Sequence, residues 1–407
     1  MSSSLSHIRV LDLSRVLAGP WCGQILADLG ADVVKVERPG AGDDTRTWGP
    51  PWIRSETGED TGEAAYFMAA NRGKKSVTID ISIPEGQALV RSLADRSDVL
   101  LENYKVGGLR QYGLDYESLS ASNPRLIYCS ITGFGQDGPY SSRAGYDFIV
   151  QGMGGLMSIT GERDDLPGGG PQKVGVAVAD LFTGMYATVS VLAALAHRDV
   201  SGRGQYIDMA LLDTQVAMTA NMGMNYLASG KAPVRAGNAH SNIVPYQTFA
   251  AADGEIILAV GNDGQFARLC RVAGRPDLAE DERFATNPAR VKHRSVLVPI
   301  LAQLIASQPK QWWSDSLEAA GVPCGAVNDL AQVFADPHVR HRRMQVEMPH
   351  PTAGHVSLVG SPIKMSETPV SYASAPPLLG QHTDEVLRDL LGLDADAIAG
   401  LRERHIV

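Results

Sequence analysis

The sequence predicts an α/β protein in which a parallel sheet carries helices on its faces and a smaller α+β domain is set into the chain. Three observations predict it. Residues 8–37 read as a complete strand–loop–helix–strand unit, strands and helices continue to alternate to residue 131, and a hairpin near residue 249 opens a region that is then helical to residue 320.

The first unit sets the frame. Residues 8–13, Ile-Arg-Val-Leu-Asp-Leu, form an apolar-rich strand, which Ser14-Arg15-Val16-Leu17-Ala18-Gly19-Pro20 breaks. Residues 21–30 read as a helix closed by Gly30, and Asp32-Val33-Val34-Lys35-Val36-Glu37 is a second strand that stops at Arg38-Pro39-Gly40. A unit of this kind is Rossmann-like and presents its loop and second strand end to a ligand. Here the loop has no G-x-G-x-x-G and no G-K-[ST], so the expected ligand is not a dinucleotide.

Further along, residues 75–80, 98–103 and 126–131 read as strands, with a helix at 84–94 and helix-like stretches at 109–113 and 116–120. Ligands of such sheets sit beyond the carboxyl ends of the strands, which here means the loops 14–20, 38–48, 103–108 and 132–147. Residues 152–175 are a glycine-rich loop, 174–197 a small-residue helix, 205–209 a strand and 210–228 a helix. After a loop at 229–245, the hairpin at 249–260 turns at Asp253-Gly254. Short strands and loops return from Cys324, and a terminal helix is expected over 384–403.

Composition narrows the functional classes. The 407 residues are 20% charged and 44% hydrophobic, as in an ordinary globular protein. A net charge of −9 with scattered basic residues argues against nucleic acid as a partner. No run approaches 18 unbroken apolar residues, so no membrane span is expected. The opening Met-Ser-Ser-Ser-Leu-Ser-His lacks a secretory pattern, and Cys22, Cys129, Cys270 and Cys324 lie far apart, which together point to a cytoplasmic protein with reduced thiols.

Asp180 is the strongest candidate for chemistry. It is an acid among Val174, Val176, Ala177, Val178, Ala179, Leu181 and Phe182. Such an acid is more often a helix cap or an ion-pair partner. The preceding glycine-rich loop and the small residues Gly175, Ala179 and Gly184 leave room for a ligand, and a carboxylate so placed can attack a carbonyl to form an anhydride or act as a general base. Arg38, Lys74, Lys75, Lys105 and Arg143 each read singly as surface charge. Their shared position at strand ends would gather cations round one crevice. Trp48, Tyr66, Tyr104 and Tyr146 stand in the same loops as pocket or core aromatics. His338-x-x-His341 with His350 and His355 has no H-E-x-x-H beside it, so no metal is expected. No G-x-S-x-G elbow is present.

These residues together resemble the class III CoA-transferases, the CaiB/BaiF family, which includes formyl-CoA transferase, carnitine CoA-transferase, succinyl-CoA:glutarate CoA-transferase and α-methylacyl-CoA racemase. The matching stretches are Val10-Leu-Asp-Leu with Ala18-Gly-Pro, residues 29–40, 71–76, Glu102-Asn-Tyr-Lys105, 123–127, 130–134, Thr160-Gly161, Ala179-Asp180, 201–205 and 376–383. They span essentially the whole chain. The resemblance implies an interlaced, ring-like homodimer and a Rossmann-like CoA-binding large domain built from both termini: residues 1–200, a linker at 201–228, a small α+β domain at 229–323, and a return segment at 324–407.

Asp180 matches the family's catalytic aspartate, which takes the acyl group as a mixed anhydride and then CoA as a thioester. The implied contacts to CoA, a substrate in acyl-CoA form, are Leu17 and Ala18 by main chain, Arg38, Ile79, Asp80, Ile81, Ser82, Asn103, Tyr104, Lys105, Arg143 and Ala144, with Tyr146 and Asp147 at the acyl end. Where the racemases carry Ala-Gly-His-Asp, residues 144–147 read Ala-Gly-Tyr-Asp, and a phenol with an ordinary pKa near ~10 is a poor partner for proton exchange at neutral pH. CoA transfer is therefore expected over racemisation. Residues 237–246, Gly-Asn-Ala-His-Ser-Asn-Ile-Val-Pro-Tyr, lack the glycine run of formyl-CoA transferases and look more like members using succinyl-CoA or another dicarboxylyl-CoA with a dicarboxylate acceptor. His240 is a candidate for the distal carboxylate, and Trp48 and Tyr66 for the substrate pocket. Two other classes compete, a non-catalytic acyl-CoA binder and a nicotinamide oxidoreductase. The first has no need of Asp180, and the second lacks its glycine fingerprint.

Overall fold

A computed structural model describes residues 3–407; Met1 and Ser2, part of the stretch read above for a secretion signal, lie outside the described residues. The chain divides into two compact units. The larger comprises the described residues up to Leu156, Val174–Met224 and Pro337–Val407, and the smaller comprises Met157–Lys173 and Asn225–Asp336.

In the larger unit, β1 (Arg9–Asp12), β2 (Asp32–Glu37), the hairpin strands β3 (Trp52–Arg54) and β4 (Asp60–Ala64), β5 (Lys74–Thr78), β6 (Val99–Glu102), β7 (Ile127–Thr132) and β8 (Tyr206–Ala210) appear in chain order. Six of them form one parallel sheet in the order β5-β2-β1-β6-β7-β8. Alternate residues face opposite sides of a strand. Val10, Val33, Val99, Leu101 and Ile127 accordingly enter one core with Cys22, Ile25 and Leu26 of the first helix, α1 (Ala18–Asp28), and with Ala187 and Val191 of the long helix Val178–Ser201. Leu11, Val34, Val77, Leu100 and Tyr128 enter a second core with Val90 and Leu93 of the helix Pro84–Ala94. Burial on both faces is why these strands read as apolar runs.

The order reverses between β1 and β6, so the loops after these two strands flank a crevice at the switch point. Within the segment 201–228, the expected strand is β8, the sheet's sixth, which pairs in register with Tyr128–Thr132, and the expected helix is two helices, Leu211–Met218 and Ala220–Ser229. The long helix begins at Val178, four residues later than expected, and ends at Gly202 in the left-handed conformation. Its length and hydropathy alone would suit a membrane span, yet Ala187, Val191 and Ala194 are seated in the core.

The smaller unit contains β9 (Tyr246–Ala251), β10 (Gly254–Ala259) and β11 (Cys324–Ala326) in an antiparallel sheet of order β11-β10-β9. Phe249, Ile256, Leu258, Phe266, Leu301 and Trp313 fill its core against helices 263–272, 294–305 and 310–319. In the larger unit, β12 (Gln345–His350) and β13 (Gly354–Val359) make a hairpin where the sequence predicts only short strands and loops. The expected helix at 384–403 is two helices, Thr383–Leu391 and Ala395–Glu403, parted at Gly392 with φ 71°. Residues 380–383 run along the edge strand β5: His382 N–H donates to Ser76 O (2.9 Å), and Thr78 N–H donates to Thr383 Oγ1 (3.1 Å).

Candidate active site

The strand ends of the larger unit build a crevice of about 540 Å³ that brings together Arg38, Ile79, Asp80, Ile81, Ser82, Tyr104 and Lys105 with Arg15 and Asp44. Arg38 and Lys105 are exposed cations on its rim. Asp80 accepts from the Ser82 main chain (2.9 Å) and hydroxyl (2.7 Å); the hydroxyl bond leads in holding its carboxyl below the usual value. The Arg15 guanidinium lies 5.5 Å from the Tyr104 ring centre, a cation–π distance. The result is a crevice of mixed charge whose exposed cations, Arg38 and Lys105, and apolar lining residues Leu13, Val36, Ile79 and Ile81 are suited to a ligand with anionic and apolar parts.

Three expected contacts sit differently. Asn103 turns its side chain to Arg15, accepting from the Arg15 N–H (2.9 Å) and donating to its carbonyl (2.7 Å). Lys74 is no phosphate ligand: it lies inside β5, wholly buried, with Nζ 2.9 Å from Asp12 and 2.9 Å from the Pro20 carbonyl. Lys75 is taken up by Asp32 (3.3 Å) and Glu385 (3.2 Å). Arg143 and Ala144 are exposed in the loop after β7, with the Arg143 guanidinium 3.9 Å from the Tyr140 ring centre. Tyr146 is the most open of the site aromatics, 63% exposed.

Asp180 occupies the first turn of the long helix, half-buried, and burial together with the neighbouring Asp147 carboxylate pushes its carboxyl up to about 7. Asp147 caps that turn. Its Oδ1 accepts from Ala179 N–H (2.8 Å) and Asp180 N–H (3.3 Å), and its Oδ2 accepts from Gln151 Nε2 (2.6 Å), whose amide oxygen takes the Val174 N–H (2.9 Å). So the glycine-rich loop is tied to the helix start through Gln151, which carries no signal in the sequence. The Tyr66 phenol is pushed up by burial and then by Asp180, Asp147 and Asp43, and Trp48 meets its ring edge-on at 5.0 Å. Leu17 and Ala18 are buried at the start of α1. A Cβ on Gly184 would lie 2.6 Å from the Ala18 carbonyl, so glycine is what lets α1 approach the long helix one turn beyond Asp180.

In the smaller unit, His240 is half-buried against Tyr246 (5.3 Å between rings), its Nδ1 accepting from Asn242 N–H (3.0 Å). Among the described residues no group of three His, Cys, Asp or Glu side chains is arranged to hold a metal ion.

Asp180 does not itself line that crevice. A half-buried carboxylate with a raised pKa is suited to covalent or acid–base chemistry. As a nucleophile it must be ionised, so the rate at low substrate is expected to fall tenfold per pH unit on the acid side of about 7. Asp147→Asn removes the second cause of the shift while keeping an oxygen for the Ala179 N–H. The acid limb of the pH–rate profile should then move to lower pH; a limb that stays in place would contradict the role assigned to Asp147.

Comparison with known proteins bears on the whole chain. The family model for CoA-transferase family III matches residues 5–383. The succinate–glutarate CoA-transferase of Agrobacterium fabrum is 53% identical over 397 residues, covering 97% of each chain. The succinyl-CoA:glutarate CoA-transferase of Mus musculus is 44% identical over 406 residues, 98% of this chain and 91% of that one. Among solved structures, a CAIB/BAIF family protein from Brucella suis superposes with a TM-score of 0.84 at 51% identity, over 96% of this chain and 100% of that one.

Proposed function

This chain belongs to CoA-transferase family III, and on that premise we propose that it moves CoA from succinyl-CoA, or another dicarboxylyl-CoA, to a dicarboxylate such as glutarate, with Asp180 as the covalent nucleophile. The observation that carries the reading is the setting of Asp180, the residue that the sequence resemblance puts at the family's catalytic position: it stands half-buried, with a raised pKa, on a helix start that α1 approaches closely.

The steps follow from the groups present. The Asp180 carboxylate attacks the thioester carbonyl; the C–S bond breaks, CoA leaves as thiolate and a mixed anhydride remains. The thiolate attacks the aspartyl carbonyl, expelling the donor carboxylate and forming an aspartyl-CoA thioester. The acceptor carboxylate attacks that carbonyl and releases the thiolate again. Attack of the thiolate on the acceptor's acyl carbon yields the new acyl-CoA and restores Asp180. No net proton moves, so the site needs an ionised carboxylate and shelter from water, which would hydrolyse the anhydride. Arg38 and Lys105 are assigned to CoA's phosphate groups.

The functional assembly in this reading is an interlaced homodimer. Phe182, Met185, Tyr186 and Val189 lie at i, i+3, i+4 and i+7 of the long helix, each 44–59% exposed, with Phe148 and Ile149 similarly open on the Asp147–Met153 helix that packs against it. An apolar helix stripe left open in a single chain supports a second copy as its cover. The test is to incubate the enzyme with succinyl-CoA and a panel of mono- and dicarboxylates and follow new CoA thioesters by mass spectrometry. Glutaryl-CoA or a related dicarboxylyl product is expected; products from monocarboxylates alone would overturn the substrate assignment.

A further inference from the structure

After β1 the chain must turn into α1 within five residues, and it does so at Val16, whose φ of 71° lies in the left-handed region. A β-branched residue keeps that conformation only where its surroundings over-determine it. The surroundings do so from three sides. Asp43 accepts the Val16 N–H on its two oxygens at 3.2 and 3.3 Å. Lys35, in the middle of β2, pairs with Asp43 at 2.9 Å and donates to the Ser14 carbonyl at 2.7 Å, so one ammonium grips both ends of the turn; neither side chain has any exposure. Asn103 holds both main-chain groups of Arg15, and Asp12 accepts from the Ser14 N–H and hydroxyl. Residues 14, 15 and 16 are each pinned individually.

Asp43 is fixed in turn. Its own N–H donates to Glu37 (2.9 Å), which is bridged by Arg46 and bound by the Ser76 hydroxyl (2.6 Å). Stability alone has no need of a strained valine at this turn, which a glycine would make at lower cost. What the turn sets is the start of α1, two residues on, where Ala18 O packs at Gly184 of the helix that carries Asp180.

We propose that Asp43 and its buried partner Lys35 are positioning residues for the acyl-transfer step: by holding Val16 left-handed they fix the main chain of Leu17 and Ala18 relative to the Asp180 carboxylate. The inference rests on Asp180 being the nucleophile. It adds that the catalytic geometry is set by a charged pair whose side chains have no exposure, although Asp43 belongs to the wall of the crevice.

The test is a cycle between positions 43 and 16. Lys35→Met with Asp43→Leu removes both charges and the acceptor for the Val16 N–H while keeping the interior filled. It is expected to lower kcat by about tenfold or more with the acyl-CoA KM moved less than about threefold, a misplacement effect on chemistry rather than on binding. Made in a Val16→Gly background, where the left-handed turn carries little steric cost, the same pair of changes should lose at least about threefold less. Equal losses in the two backgrounds, or a loss confined to KM, would overturn the proposal. If the double variant does not fold, Lys35→Gln with Asp43→Ala, which strands no charge and still removes the acceptor for the Val16 N–H, is put through the same comparison with the same criterion. A wild-type enzyme that makes no CoA-transfer product would instead sink the functional reading itself, so the two failures are distinguishable.

Discussion

Asp180→Ala is expected to reduce CoA transfer by about 10⁴-fold or more, because it removes the atom to which acyl group and CoA are successively bound. The loss should fall on kcat, since the residues lining the crevice that would hold CoA are untouched. The same change should not weaken the fold at neutral pH. The Asp180 pKa is raised in the folded chain, by burial and then by Asp147, so folding favours its protonated form. Its ionisation therefore opposes folding increasingly as the pH rises from the unfolded carboxylate value towards about 7, and above that the opposition is constant. The alanine variant should accordingly gain thermal stability relative to wild type across that window. A variant that is inactive because it is unfolded would show the opposite trend in a thermal melt, and residual transfer within about 100-fold of wild type would remove Asp180 from the covalent role.

The second large effect concerns stability. Asp12 and Lys74 are wholly buried and 2.9 Å apart, joining β1 to β5 beneath α1. Burial works against the Asp12 carboxylate, but Lys74 and Lys35 together hold it below its usual value. Gly23 of α1 is the roof of the pair: a Cβ there would stand 2.8 Å from the Asp12 oxygen. Asp12→Ala strands an ammonium in the sheet and should cost about 3–5 kcal/mol of unfolding free energy by denaturant titration. Asp12→Leu with Lys74→Met removes both charges and should recover most of that loss, because two well-packed apolar groups need no partner. A double variant no better than the single would show that the pair acts through something other than its charge balance.

Much of the fold is legible because the strands that build the sheet are buried on both faces. Val33-Val34 and Leu100-Leu101 each send neighbours into opposite cores, and such runs cannot be mistaken for loops. The hairpin β9–β10 is readable from its local turn signal, although its two-residue turn is Ala252-Asp253, one position before the expected Asp253-Gly254, which Gly254's pairing with Ala251 excludes. What stays hidden depends on partners far away in sequence. Lys74 looks like a surface or phosphate-binding cation until the fold brings Asp12 to it across 62 positions, and nothing local marks Lys35 as the partner of Asp43. Asn103 reads as a ligand contact, but its geometry is set by Arg15, 88 positions earlier. The edge strand β8 is readable as a strand at 205–209, but its place in the sheet is not, because that place depends on its pairing with Tyr128–Thr132, more than 70 positions earlier. The hairpin β3–β4 escapes a sequence reading, and β12–β13 is read only as unplaced short strands, because short strands containing glycine or proline carry little periodicity.

The central claim is that Asp180 becomes part of the substrate during turnover, and oxygen labelling tests it most directly. With glutarate labelled by ¹⁸O in its carboxylates and unlabelled succinyl-CoA, the bridging oxygen of the acceptor anhydride should remain on Asp180 when glutaryl-CoA leaves. After a single turnover the peptide containing Asp180 should carry label, and over further turnovers the label should appear in released succinate. Glutaryl-CoA formed while both Asp180 and succinate stay unlabelled would mean that CoA passes between substrates without touching the aspartate, and the covalent role of Asp180 would be wrong.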